Sequence, residues 1–64
     1  MDKIVCTPEE AAEAMVTSPN IIRGWIRDGL LPAYKSGRNW KIVITQLQRF
    51  AEDLAISETE RRMK

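Results

Sequence analysis

Five cations and both asparagines of a 64-residue chain fall between Ser18 and Lys41. Arginine offers a planar fork of donors, asparagine sets a donor beside an acceptor, and lysine carries a point charge. Those are the groups that pair with a guanine edge, an adenine edge and a phosphate. Asn20, Arg23 and Arg27 recur at three- and four-residue spacing, so on a helix they share one face, with Gly24 among them. Lys35, Arg38, Asn39 and Lys41 follow closely around Gly37. Together with Ser18, which stands just ahead of the helical run, they form the candidate site: Ser18, Asn20, Arg23, Gly24, Arg27, Lys35, Arg38, Asn39 and Lys41. The chemistry on offer is hydrogen bonding and ion pairing with double-stranded DNA.

Charge is placed to match. The chain nets only +1, but residues 1–17 net −3, residues 18–41 net +4, and residues 42–64 carry four charges of each sign. An electrostatic footprint for a polyanion requires such concentration, although an ordinary solvated face would also be charged. Catalysis is not expected. There is no His, and Cys6 is the single cysteine. This excludes an internal disulfide and the usual zinc sites, and leaves Cys6 without an activating base, so it reads as a small core residue. The sequence also lacks a paired-carboxylate pattern and a phosphate-cradling glycine loop, so neither catalytic residue, metal nor cofactor is expected. No run approaches the roughly 18 apolar residues of a membrane span, and Met1-Asp2-Lys3 does not open a signal peptide. Met1 reads as a natural start, and the unpaired cysteine suits a cytoplasmic location.

The elements that must position these residues are legible from caps and periodicity. Thr7-Pro8-Glu9-Glu10 opens a first helix: Thr7 caps, Pro8 takes the first position, and Glu10 completes a capping box. Pro8, Ala11, Ala12 and Met15 share its apolar face. Val16-Thr17-Ser18 leaves room only for a tight turn. Ser18 then caps a second helix with Pro19 first, an inward stripe of Ile22, Trp25 and Ile26, and Gly29 as its stop. Ile4-Val5-Cys6 is too short to assign as strand or loop. Leu30-Leu31-Pro32 packs the exit. Ala33-Tyr34-Lys35 and Trp40-Lys41-Ile42 are strand candidates joined by the turn Ser36-Gly37-Arg38-Asn39, a hairpin with Arg38 at its tip. Thr45 with Gln48 reads as a second capping box, opening a helix with Leu47, Phe50, Ala51 and Leu54 on one face. The expected core is Ile22, Trp25, Tyr34, Leu47, Phe50 and Leu54. The division is one domain over residues 1–56 and a polar segment, 57–64, that extends the helix, forms a separate one or frays.

The fold class is therefore mainly α with a small β-hairpin: a winged helix-turn-helix made of two helices, a two-stranded wing and a C-terminal helix. The ordered set Thr7-Pro8-Glu9-Glu10-Ala11-Ala12, Trp25-Ile26-Arg27-Asp28-Gly29, Leu31-Pro32-Ala33-Tyr34-Lys35 and Gly37-Arg38-Asn39-Trp40-Lys41-Ile42 resembles the small winged-helix DNA-binding domains of the excisionase/MerR-like superfamily. The resemblance covers about Val5 to Leu54. It implies a second helix in the major groove, a wing on the backbone or minor groove, and a buried Trp25. Two positions depart from the pattern. Val16 stands where the family has glycine at the helix-turn junction, and a β-branched residue resists positive φ, so a turn of different shape is expected. Gly24 stands where the family often has arginine, which removes a phosphate contact but opens a spot for close backbone approach.

By resemblance, a small domain of this kind is a phage or mobile-element excisionase, or recombination directionality factor. Such proteins bind and bend attachment-site DNA and recruit an integrase. The alternatives are a small transcriptional regulator with the same fold and a protein-interaction adaptor using the Leu47–Leu54 face. Short reading elements and modest charge further suggest cooperative head-to-tail self-association on DNA, through Glu9, Glu10 and Glu13 of one copy and Arg61, Arg62 and Lys64 of the next.

Overall fold

In the computed structural model, which describes residues 3–63, the chain forms three helices and a three-stranded antiparallel sheet. Readings that rest on Met1, Asp2 and Lys64, including the natural start and the last cation of the tail, lie outside the described residues. Helix α1 spans Pro8–Ala14 and α2 spans Pro19–Arg27. Both begin as their sequences require. At α1 the Glu10 N–H donates to Thr7 Oγ1 at 3.1 Å while Glu10 Oε1 accepts from the Thr7 N–H at 3.0 Å. Two donors that a helix start leaves open are thereby satisfied reciprocally. At α2 the Ile21 N–H donates to Ser18 Oγ at 3.3 Å, with Pro19 in the first turn.

The turn between them holds a surprise. Val16 has φ of 56°, the left-handed region that β-branched residues avoid. The Thr17 N–H donates to the Ala12 carbonyl at 2.8 Å and the Val16 N–H to Glu13 at 3.2 Å. These are the two bonds of a Schellman cap, which a glycine would close without strain. The expectation that valine would reshape this turn is thus corrected: the two cap hydrogen bonds, with both helices packed on one core, hold valine in the glycine conformation.

Strands β1 (Val5–Cys6), β2 (Tyr34–Ser36) and β3 (Asn39–Val43) form the sheet in the order β1-β3-β2. The expected two-stranded wing is therefore part of a larger sheet, because Val5 pairs with Val43 and Cys6 with Ile42. The hairpin strands differ slightly from expectation: β2 sits one residue later, leaving Ala33 outside it, and β3 is longer by one residue at each end, taking in Asn39 and Val43. The Ile44 N–H donates to the Ile4 carbonyl at 2.9 Å, so α3 (Ile44–Arg62) starts straight from the strand. That overturns the capping box at Thr45 and Gln48. The N-cap is Val43, with no side-chain hydrogen bond, and Thr45 already lies inside the first turn. The polar segment continues α3 unbroken to Arg62.

The core gathers Cys6, Ala11, Ala12, Ile22, Ile26, Leu31, Ile42 and Leu47, with Met15, Trp25, Ala33, Trp40, Ile44 and Phe50 packed around it. Ile22, Leu31 and Ile42 are its largest fully buried side chains. The rings of Trp25 and Phe50 meet at 5.0 Å between centroids, and Trp25 and Leu54 are half-buried. Tyr34 is a correction. It is 51% exposed, because its register opposite Lys41 puts it on the face of the hairpin away from Trp40 and Ile42.

Candidate nucleic-acid interface

Helix α2 positions four of the nine candidate residues and its cap supplies a fifth. Pro19 and the Ser18 cap start the helix, and Ile22 and Ile26 press its apolar side onto the core. The spacing then leaves Asn20, Arg23 and Arg27 together on the opposite, exposed side. The Ser18 oxygen is committed to the cap, but its O–H proton remains available to an acceptor such as phosphate. Arg27 is only loosely tied: its Nε lies 3.9 Å from the Asp28 carboxylate, and its side chain is 82% exposed. A Cβ added at Gly24 would meet nothing closer than Arg27 Nη2 at 3.8 Å, an ordinary contact. Packing within the protein does not demand the glycine.

Arg23 is different. Its Nη2 donates to Glu9 Oε2 on α1, forming an ion pair across the two helices. Sequence reading gave Glu9 only a role in contacts between copies and missed this partner. No local signal marks it, because the angle between the two short helices, which decides the side chains that meet across them, is set by their packing on the common core.

The wing splits its residues. The pairs Ser36↔Asn39, Lys35↔Trp40 and Tyr34↔Lys41 close a two-residue loop of Gly37 and Arg38. Gly37 has φ of 64°, and among the described residues Val16 is the only non-glycine with positive φ. That combination matches a type II′ turn, whose twist suits a hairpin. Arg38 is exposed at the tip. Because directly opposed residues share a face, Lys35 lies with Trp40 on one side, while Tyr34, Ser36, Asn39 and Lys41 lie on the other. Lys35 Nζ sits 5.6 Å from the Trp40 ring centroid, a cation–π contact. Lys35 and Lys41, grouped by sequence, are therefore not brought together.

The remaining chemistry is quiet. Cys6 is buried, and that burial pushes its thiol pKa up, away from the reactive thiolate. Among the described residues no cluster of three or more His, Cys, Asp or Glu could hold a metal ion, and no helix is long and apolar enough to cross a membrane. The sequence model of a family described as a helix-turn-helix domain matches residues 5–55. No curated protein and no solved structure matches the chain.

Proposed function

Because the chain belongs to the helix-turn-helix domain family, it is a DNA-binding module, and we propose that it acts as an excisionase. In this reading it binds and bends attachment-site duplex DNA to direct an integrase and performs no chemistry itself. The observation that carries the reading is the exposed polar side of α2, seated on the same core that anchors the basic hairpin through Ile42. Asn20, Arg23 and Arg27 read base edges in the major groove, where arginine and asparagine have bidentate partners. Ser18, the backbone at Gly24, and Lys35, Arg38, Asn39 and Lys41 hold phosphates. With Lys35 and Lys41 on opposite faces of the wing, the two grip different stretches of backbone.

Side-by-side copies add to the affinity through head-to-tail contacts. Within one copy Glu9 and Glu10 already hold Arg23 and Lys3, and Arg61 lies 3.6 Å from Glu58. Among the described residues of this contact, Glu13 and Arg62 are the groups left to carry most of the attraction between copies.

Footprinting and bending gels on DNA flanking the gene test the proposal. Cooperative occupancy of repeated sites with a bend, and a slope of log affinity against log salt of about −3 to −4, is the expected result. Occupancy of a single unbent promoter site points instead to a transcriptional regulator. Salt-independent affinity, or no binding at low salt, rejects DNA as the ligand.

A further inference from the structure

The reading side of α2 carries a negative charge that its own sequence does not contain. Glu9 reaches it from the first turn of α1 and pairs with Arg23, both side chains remaining about half exposed at 58% and 45%. The neighbouring carboxylate, Glu10, is engaged elsewhere, by Lys3 and by the Thr7 N–H. Among the described residues, Arg23 is the partner of the Glu9 carboxylate.

An exposed pair of this kind adds little to stability. Its effect on a ligand is larger and selective. Guanidinium has five N–H donors, and Glu9 engages Arg23 at Nη2, so donors remain for a second acceptor. A phosphate taking those donors brings a full negative charge beside the Glu9 carboxylate and is repelled by it. A base edge presents neutral acceptors and meets no such repulsion. We propose that Glu9 is a specificity-determining residue, which biases Arg23 away from phosphate and toward base edges. The inference rests on the DNA-binding reading above and adds to it a residue outside the reading helix. Its physical content is discrimination by charge: random DNA is held by phosphates alone and is penalised, whereas a preferred site keeps the arginine–base bonds.

The test uses the intact chain, a preferred duplex selected from a randomised pool, and a random duplex of equal length. Glu9→Gln keeps the shape of the side chain and removes its charge. The variant is expected to bind random DNA about 3- to 10-fold more tightly at low salt, with a salt slope steeper by about 0.9, the signature of one further phosphate contact. Affinity for the preferred site should change less, so the ratio between the two duplexes falls. In an Arg23→Gln background the same Glu9→Gln change should leave random-DNA affinity and slope unaltered. Thermal melting of each variant confirms that it is folded. Unchanged random-DNA binding by Glu9→Gln would overturn the proposal. So would a gain that persists without Arg23, which would mean simple repulsion between Glu9 and DNA. Failure of the wild-type chain to bind any duplex at low salt rejects the DNA-binding reading itself, a distinct result.

Discussion

Helices α1 and α2 end in the same hydrogen-bonded motif, yet one closes on valine and the other on glycine. At the end of α2 the Gly29 N–H donates to Ile26 at 3.1 Å and the Leu30 N–H to Trp25 at 2.9 Å, with Gly29 at φ of 77°. At the end of α1 Val16 does the same work at φ of 56° while its side chain projects into solvent, 91% exposed. The valine gains nothing visible from packing, and the left-handed conformation costs an L-residue about 1–2 kcal/mol. The bonds therefore do not follow from the residue at the bend. They follow from the two helices being drawn onto a common core by Ala11, Ala12, Ile22 and Ile26, which leaves the joining chain one short route.

If a shared core enforces both ends, weakening it should have the largest effect. Ile22 is fully buried, and Ile22→Ala is expected to destabilise the protein by about 2–5 kcal/mol in denaturant titrations. A loss below about 1 kcal/mol, the size of a surface change, would mean that the turn holds the helices together without the core.

Exchanging the two closing residues sharpens the comparison at smaller scale. Nothing lies within 4 Å of a Cβ built at Gly29, so Gly29→Val tests backbone conformation without a clash. It should cost about 1–3 kcal/mol. Val16→Gly should raise stability by about 0.5–1 kcal/mol, the released strain being partly offset by the greater freedom of glycine in the unfolded chain. Equal and negligible shifts from both changes would show that neither position is strained.

The smallest expected effect separates the helix starts. At α1 the hydrogen bond from Lys3, and then the Thr7 N–H, hold the Glu10 carboxyl below its ordinary pKa, and Glu10 in turn raises Lys3. A lowered carboxylate contributes stability above its unfolded pKa and loses it as pH falls through the folded value. A raised lysine contributes below its unfolded pKa and loses it as pH rises through the folded value. Melting temperature should therefore fall less steeply below about pH 5 in Glu10→Gln than in the wild type. The Ser18 cap of α2 has no ionisable partner at its capping bond, so Ser18→Ala should lower melting without changing that acid slope.

Much of the site was legible because it depends on local rules. Caps at Thr7 and Ser18, the Gly29 stop and the 3.6-residue period place Asn20, Arg23 and Arg27 on one side of α2 whatever surrounds them. The Gly37-Arg38 turn likewise announced the wing. Misreadings occurred where a distant segment intervened. Tyr34 looked like core because it is aromatic, but strand register turned it outward. Thr45 looked like a cap, but the Ile4 carbonyl took the Ile44 N–H and started α3 earlier. Leu31 and Ile42 became central only once the exit loop and the middle strand were folded between the helices.

What the sequence determined by itself is the inventory of elements, the polar side of α2 and the concentration of positive charge, since each follows from spacing within a few residues. The tertiary structure alone decided that Val16 adopts a glycine conformation, that Lys35 and Lys41 part company across the wing, and that Glu9 meets Arg23. Each of those depends on an inter-element angle or a strand register. Both are set by the simultaneous burial of side chains far apart in the chain, which no local pattern records.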